Sequence, residues 1–186
     1  MLTRQRGFSL TEVLIATAIS SLLLISASRF LPGLQRAVLL QSGQRELEEE
    51  VWQHLFALGK QLQRAGYCAG SCQGQALVTA RQGGCVIVRW DANSNGNWDN
   101  TASENDTTGF RLESGALETQ RGATSCEGKG WEKLTDPDRL TIAHFVVRKV
   151  EHAGFAPEVT IELAAMRKGG QGEPWQASYT VTGYNL

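Results

Sequence analysis

Arg4-Gln5-Arg6-Gly7-Phe8-Ser9-Leu10-Thr11-Glu12-Val13-Leu14-Ile15-Ala16 opens an apolar run that continues to Ser28, with Glu12 its only charged side chain from Phe8 onward. About 20 apolar or small residues span the hydrocarbon of a bilayer as a helix. The arginines on its N-terminal side, Arg4 and Arg6, predict a cytoplasmic N-terminus by the positive-inside rule. The bulk of the chain then lies on the far side. A cleaved secretory signal ends its apolar stretch at a small-residue site. Here the run passes with no good A-x-A position into a further helical pattern, so the helix is expected to be retained. Glu12 is the anomaly. A carboxylate in a membrane span costs about 2.5 to 3.5 kcal/mol on insertion scales and is functional by default.

A basic leader, Gly7, Phe8 and a glutamate four residues beyond it resemble the signature of type IV prepilins. The resemblance implies cleavage between Gly7 and Phe8 by a membrane-embedded prepilin peptidase, methylation of the new amine at Phe8, and a filament in which Glu12 pairs with a neighbouring subunit's terminus. Glycine before the scissile bond suits an active site that must approach the backbone closely. Two half-buried opposite charges attract strongly, but desolvation returns much of the gain, so register is the expected product. The competing reading is a plain signal anchor carrying a stray glutamate.

Beyond Pro32 and Gly33 the residues Leu47, Val51, Leu55, Leu58 and Leu62 recur at three- and four-residue steps, which defines one helical face expected to pack on a head. Glu46, Glu48, Glu49, Gln53 and Lys60 fall on the other side as a solvated surface. A helix from Phe8 to Arg64 would reach about 85 Å at 1.5 Å per residue and bend near Pro32. Gly66 in Leu62-Gln-Arg-Ala-Gly-Tyr67 stops it. An R-A-G-Y closure resembles the minor pilins of the PilW and general-secretion J type. With Arg89-Trp-Asp-Ala-Asn-Ser-Asn-Gly96 and Ser125-Cys-Glu-Gly-Lys-Gly-Trp131, the chain looks like the prepilin peptidase-dependent protein B family of enteric bacteria.

After Tyr67 the period becomes two, over Cys85–Trp90, Phe110–Leu112, Leu140–Val150, Val159–Leu163 and Ser178–Thr182, with turn residues between. The expected fold is α+β and type IV pilin-like, a long N-terminal helix packed on one antiparallel sheet. The divisions are a leader (1–7), a transmembrane half-helix (8–31), an amphipathic half-helix (32–66) and a periplasmic head (67–186).

Four cysteines, Cys68, Cys72, Cys85 and Cys126, form an even set, and export would place them where disulfides persist. Cys68 and Cys72 can close a small loop, leaving Cys85 to Cys126; the other two connectivities stay open. Zinc competes with this reading, but Cys68 and Cys72 are not followed by a second closely spaced Cys or His pair. Asp91, Asn93, Asn95, Asn97 and Asp99 alternate around Gly96 like the start of a calcium loop, which needs six to eight oxygens. The match weakens at Ala102, where a bidentate glutamate belongs; the alternative is a polar hairpin without metal.

A net charge of −1 supplies no field for nucleic acid, and none is expected as a partner. His54, His144 and His152 show no nucleophile or metal-ligand spacing, so no enzyme is expected, and no cofactor beyond the calcium candidate. The five tryptophans are expected to pack the head. The resemblance implies the bacterial inner membrane, a single pass, a periplasmic head, and partnership with the peptidase, other minor pilins, the major pilin and the inner-membrane assembly platform. The filament is a type IV pilus or a type II secretion pseudopilus; a tip adhesin or calcium-responsive binder is the alternative.

Overall fold

The computed structural model describes residues 7–101, 103–104, 106–170 and 172–186. One helix, α1 (Leu10–Arg64), precedes eight strands: β1 (Leu77–Ala80), β2 (Cys85–Arg89), β3 (Thr107–Glu113), β4 (Ala116–Arg121), β5 (Glu132–Lys133), β6 (Leu140–His152), β7 (Phe155–Arg167) and β8 (Trp175–Thr182). Pro32 lies inside α1. The chain divides into two compact units, Met1–Arg45 and Glu46–Leu186.

Within the first unit, several hydroxyl groups of the apolar helix bond back to its own carbonyls. Thr17 donates to the Leu14 carbonyl at 3.0 Å, Ser21 to Thr17 at 2.7 Å, Ser26 to Leu22 at 2.9 Å and Ser28 to Ile25 at 2.9 Å. Such back-bonding removes the need for outside partners, the condition that a hydrocarbon solvent imposes. An 18-residue window of α1 has a mean hydropathy of 1.9 and none of it is buried, so the helix is long and apolar enough to cross a membrane.

The second unit holds α1 from Glu46 onward against two antiparallel sheets, where one was expected. The first has the order β1-β2-β3-β4-β5 and the second β6-β7-β8. The break falls at Asp136-Pro137-Asp138. Asp136 accepts the Asp138 N–H on Oδ1 and the Arg139 and Leu140 N–H groups on its carbonyl, folding the chain away from β5. A main-chain bond from the Ile142 N–H to the Gly115 carbonyl at 2.8 Å links the start of β6 to the β3–β4 hairpin.

Both sheets share one core with the helix. Leu47, Val51, Leu55, Leu58 and Leu62 are at most 6% exposed and meet Val86, Val88, Phe110 and Leu117 from the first sheet and Phe145, Val147, Val159, Ile161, Leu163 and Val181 from the second. Each such side chain is worth about 1.5 to 3 kcal/mol relative to exposure. A register shift between Ile142 and His144 gives β6 one extra residue, Ala143. It lets Leu140 and Ile142 before it and Phe145 and Val147 after it all face inward. Strand β2 is buried on both faces, because Cys85 and Ile87 form a second small cluster with Cys126, backed by Val78, Ala80 and Trp131. Glu46, expected to be solvated, is exposed but paired with Arg139 at 3.1 Å and with Arg167, which ties α1 to the start of β6 and the end of β7.

Candidate functional site

Two places carry the residues that the sequence singles out. At the first, Ser9 precedes α1 and Glu12 sits in its first turn. The Glu12 Oε2 accepts the Ser9 main-chain N–H at 3.0 Å, while the Ser9 carbonyl accepts the Glu12 N–H at 3.1 Å and the Val13 N–H at 3.3 Å. This is the carboxylate half of a capping box; the Ser9 hydroxyl pairs instead with that of Thr11 at 2.8 Å. The pattern Ser-x-x-Glu at residues 9–12 is its sequence signal, beside the charge that Glu12 carries in the apolar run. Phe8 is 88% exposed. A Cβ added at Gly7 would meet no atom within 4 Å among the described residues.

At the second, the chain between β2 and β3 closes around two buried carboxylates. Asp91 is 1% exposed and Asp106 is fully buried. Asp91 accepts the Ala69 and Gly96 N–H groups on Oδ2, at 3.0 and 2.9 Å, and the Asn95 N–H on Oδ1 at 3.0 Å. Burial pushes its carboxyl up, but the surrounding main-chain N–H groups, Ala69 and Gly96 first, together hold it below the usual aspartate value. Asp106 accepts from Ala92 at 2.9 Å and Asp99 at 3.0 Å. Asn93 and Asn95 each turn their carbonyl oxygen to the N–H two residues on, at 3.0 and 2.9 Å, and the Asn95 amide donates to Asp99 Oδ2 at 3.0 Å. Ala102 lies outside the described residues.

The side chains of Asn93, Asn95 and Asp106 thus close on the loop's own main chain. Among the described residues, the one group of three His, Cys, Asp or Glu side chains whose ligand atoms lie within 4.8 Å of one another joins Asp91 to Cys68 and Cys72, not to Asp99. The structure links Cys68 to Cys72 and Cys85 to Cys126, with Cα separations of 6.0 and 6.1 Å. The Cys85–Cys126 link lies beside a buried ion pair that the sequence reading missed. Arg111 Nε donates to Glu118 Oε2 at 2.9 Å and Nη1 to the Cys126 carbonyl at 2.9 Å, with the guanidinium 4.4 Å from the Trp131 ring. Residues four and more apart on neighbouring strands carry no pairing signal until their register is known.

The histidines stand apart. His54 is half-buried on α1 near Glu50, His144 Nε2 lies 3.7 Å from Glu162, and His152 Nε2 lies 3.4 Å from Glu158. Trp52 and Trp175 belong to an aromatic cluster with Phe56 and Tyr179 that joins α1 to β8.

An apolar helix opening on Gly7, Phe8 and Glu12 and followed by an antiparallel head defines a pilin-like chain. Residues 2–28 match the prokaryotic N-terminal methylation motif. Residues 40–183 match the family of prepilin peptidase-dependent protein B, and the chain belongs to that family. It is 52% identical over 187 residues to prepilin peptidase-dependent protein B of Escherichia coli strain K12, an alignment that covers both chains in full. No solved structure gives a significant match.

Proposed function

We propose that the chain is a minor prepilin, cut between Gly7 and Phe8 by a prepilin peptidase, methylated at Phe8 and assembled through Glu12 with other minor pilins and the major pilin. The observation that carries this reading is the methylation motif at 2–28 leading directly into an apolar helix. The name of the K12 relative, which declares peptidase dependence, supports it. The head would lie in the periplasm and the helix in the inner membrane, with the assembly platform as the further partner. The task is initiation or tip assembly of a type IV pilus or a type II secretion pseudopilus, by binding and without catalysis. The Glu12 capping interaction fits this role, because it holds the carboxylate at the start of the helix, next to the future terminus.

Intact mass after co-expression with a prepilin peptidase is the test. Loss of Met1–Gly7 with one added methyl group is expected for the native chain, and no cut for Gly7→Val. An uncut native chain would leave a signal-anchored protein and remove the filament role. For the Asp91–Asp106 loop we propose a polar-hairpin role in which no calcium is required. A calcium titration that raises the melting temperature of the full chain, and fails to do so for Asp99→Ala, would reverse that assignment.

A further inference from the structure

The two disulfides sit in different surroundings. Cys85 and Cys126 are 0% and 7% exposed, whereas Cys68 and Cys72 are half-exposed on the segment that follows α1. A dithiol reductant therefore meets the second pair first. The Cys68 Sγ accepts main-chain N–H groups from Gly70 at 3.3 Å and Cys72 at 3.1 Å. Donors aimed at a sulfur favour its thiolate, and a turn that supplies them holds the sulfur in place without help from its partner.

Asp91 approaches from the other side. Its carboxylate oxygen and the two sulfurs all lie within 4.8 Å of one another. Two N–H groups occupy Oδ2 and one occupies Oδ1, with the Ser94 N–H close by as a further donor, so a cation would share an oxygen with main-chain donors, as ligating carboxylates do. The approach is fixed by backbone on both sides. A Cβ at Gly70 would stand 2.7 Å from the Gly96 Cα, so the cysteine turn and the Asp91 loop are packed main chain to main chain. The Ala69 N–H bond to Asp91 adds a second tie.

We propose that, in the reduced chain, Cys68, Cys72 and Asp91 form a site for a zinc-class divalent cation, which disulfide formation abolishes. A C-x3-C pair supplies two thiolates at ordinary zinc spacing. The buried carboxylate is the third ligand, and water takes the fourth tetrahedral position. On binding, the two thiols release two protons to solvent. On oxidation by a disulfide donor, the donor's S–S bond breaks as the Cys68–Cys72 bond forms. Two electrons pass from the thiolates to the donor, which takes up two protons as a dithiol, and the cation leaves. Held this way, Cys68 and Cys72 are kept from pairing with Cys85 or Cys126 before oxidation. No second Cys or His pair follows Cys68 and Cys72 in the sequence; Asp91, 19 and more residues downstream, is the ligand that only the fold supplies.

The test is cobalt(II) titration of the full-length chain in detergent after mild reduction, with peptide mapping to show that Cys85–Cys126 is still joined. The expected result is one cobalt per chain with thiolate-to-cobalt charge-transfer absorption, displaced by zinc and lost on reoxidation of the same sample. Cys68→Ser and Cys72→Ser should lose the band, and Asp91→Asn should weaken binding at least tenfold. Absence of the band from the reduced native chain overturns the proposal, whatever the variants do. So does a band that persists in Cys68→Ser, or one that survives reoxidation.

Discussion

The ring of Tyr179 occupies the space in which a side chain at Gly59 would stand: a Cβ there would lie 2.4 Å from Tyr179 Cε1. Glycine inside a helix costs roughly 1 kcal/mol relative to alanine, so its presence in α1 demands a reason. The reason is the seam between α1 and β8, where Tyr179 packs edge-on against Phe56 at 5.1 Å. Gly59→Ala is expected to destabilise the head by about 1 to 2 kcal/mol, since overpacking outweighs the propensity gain. In a Tyr179→Ala background the same change should stabilise by about 1 kcal/mol. Chemical denaturation of the four proteins reads the sign, and an unchanged sign would remove the steric account.

Gly66 ends α1 for two independent reasons. Its φ is +88°, and a Cβ there would stand 1.9 Å from the Asn185 carbonyl oxygen. Its own N–H donates to the Arg89 carbonyl at 2.9 Å, so the backbone cannot withdraw without breaking that tie. Gly66→Ala should cost more than the roughly 1 kcal/mol of a left-handed alanine. Deleting Asn185 and Leu186 should recover part of the loss but not all of it, as read by denaturation midpoints. Full recovery would mean that only the collision matters.

Arg111 and Glu118 face each other across β3 and β4 and are 8% and 9% exposed. Removing one partner leaves a buried charge uncompensated, which costs about 3 to 5 kcal/mol. Glu118→Ala is therefore expected to be severe, and Arg111→Leu combined with Glu118→Leu much milder than either alone. Glu127→Gln is the control: its pair with Arg81 lies at the surface, with the glutamate side chain 72% exposed, and its loss should change stability little. Equal losses for Glu118→Ala and Glu127→Gln would contradict the burial argument.

How much of this was legible depended on whether the signal was local. The spacing of Leu47, Val51, Leu55, Leu58 and Leu62 located the buried face of α1, because helical period and burial coincide there. Strands β2, β6 and β7 announced themselves through β-branched runs, although β7 extends at both ends into Phe155–Glu158 and Ala164–Arg167, where the pattern fades. Strand β4, Ala-Leu-Glu-Thr-Gln-Arg, did not, since its composition favours no strand and its burial comes from neighbours. The split into two sheets was hidden because Asp136-Pro137 marks a turn without saying on which side of the core the chain resumes. Gly7, Phe8 and Glu12 lie within six residues and form one motif. The meeting of Asp91 with Cys68 and Cys72 depends on how β2 returns beside the end of α1, which no spacing encodes.

His54 gives the head a pH dependence whose sign follows from its surroundings. Burial lowers its pKa below the ordinary 6.5, and the charge of Glu50, one turn earlier on α1, opposes the shift only in part. With the folded-state value below the unfolded one, the unfolded chain binds the proton more readily. The stability tied to neutral His54 is therefore whole above about pH 6.5 and is lost as pH falls through the folded-state value. The native chain should lose more melting temperature between about pH 7.5 and about pH 5, which brackets the ordinary histidine value, than His54→Gln does. Imidazole proton shifts should place the folded midpoint below that of an unfolded control. Parallel melting curves for the two proteins, or a midpoint at or above the control, would show that burial does not govern this histidine.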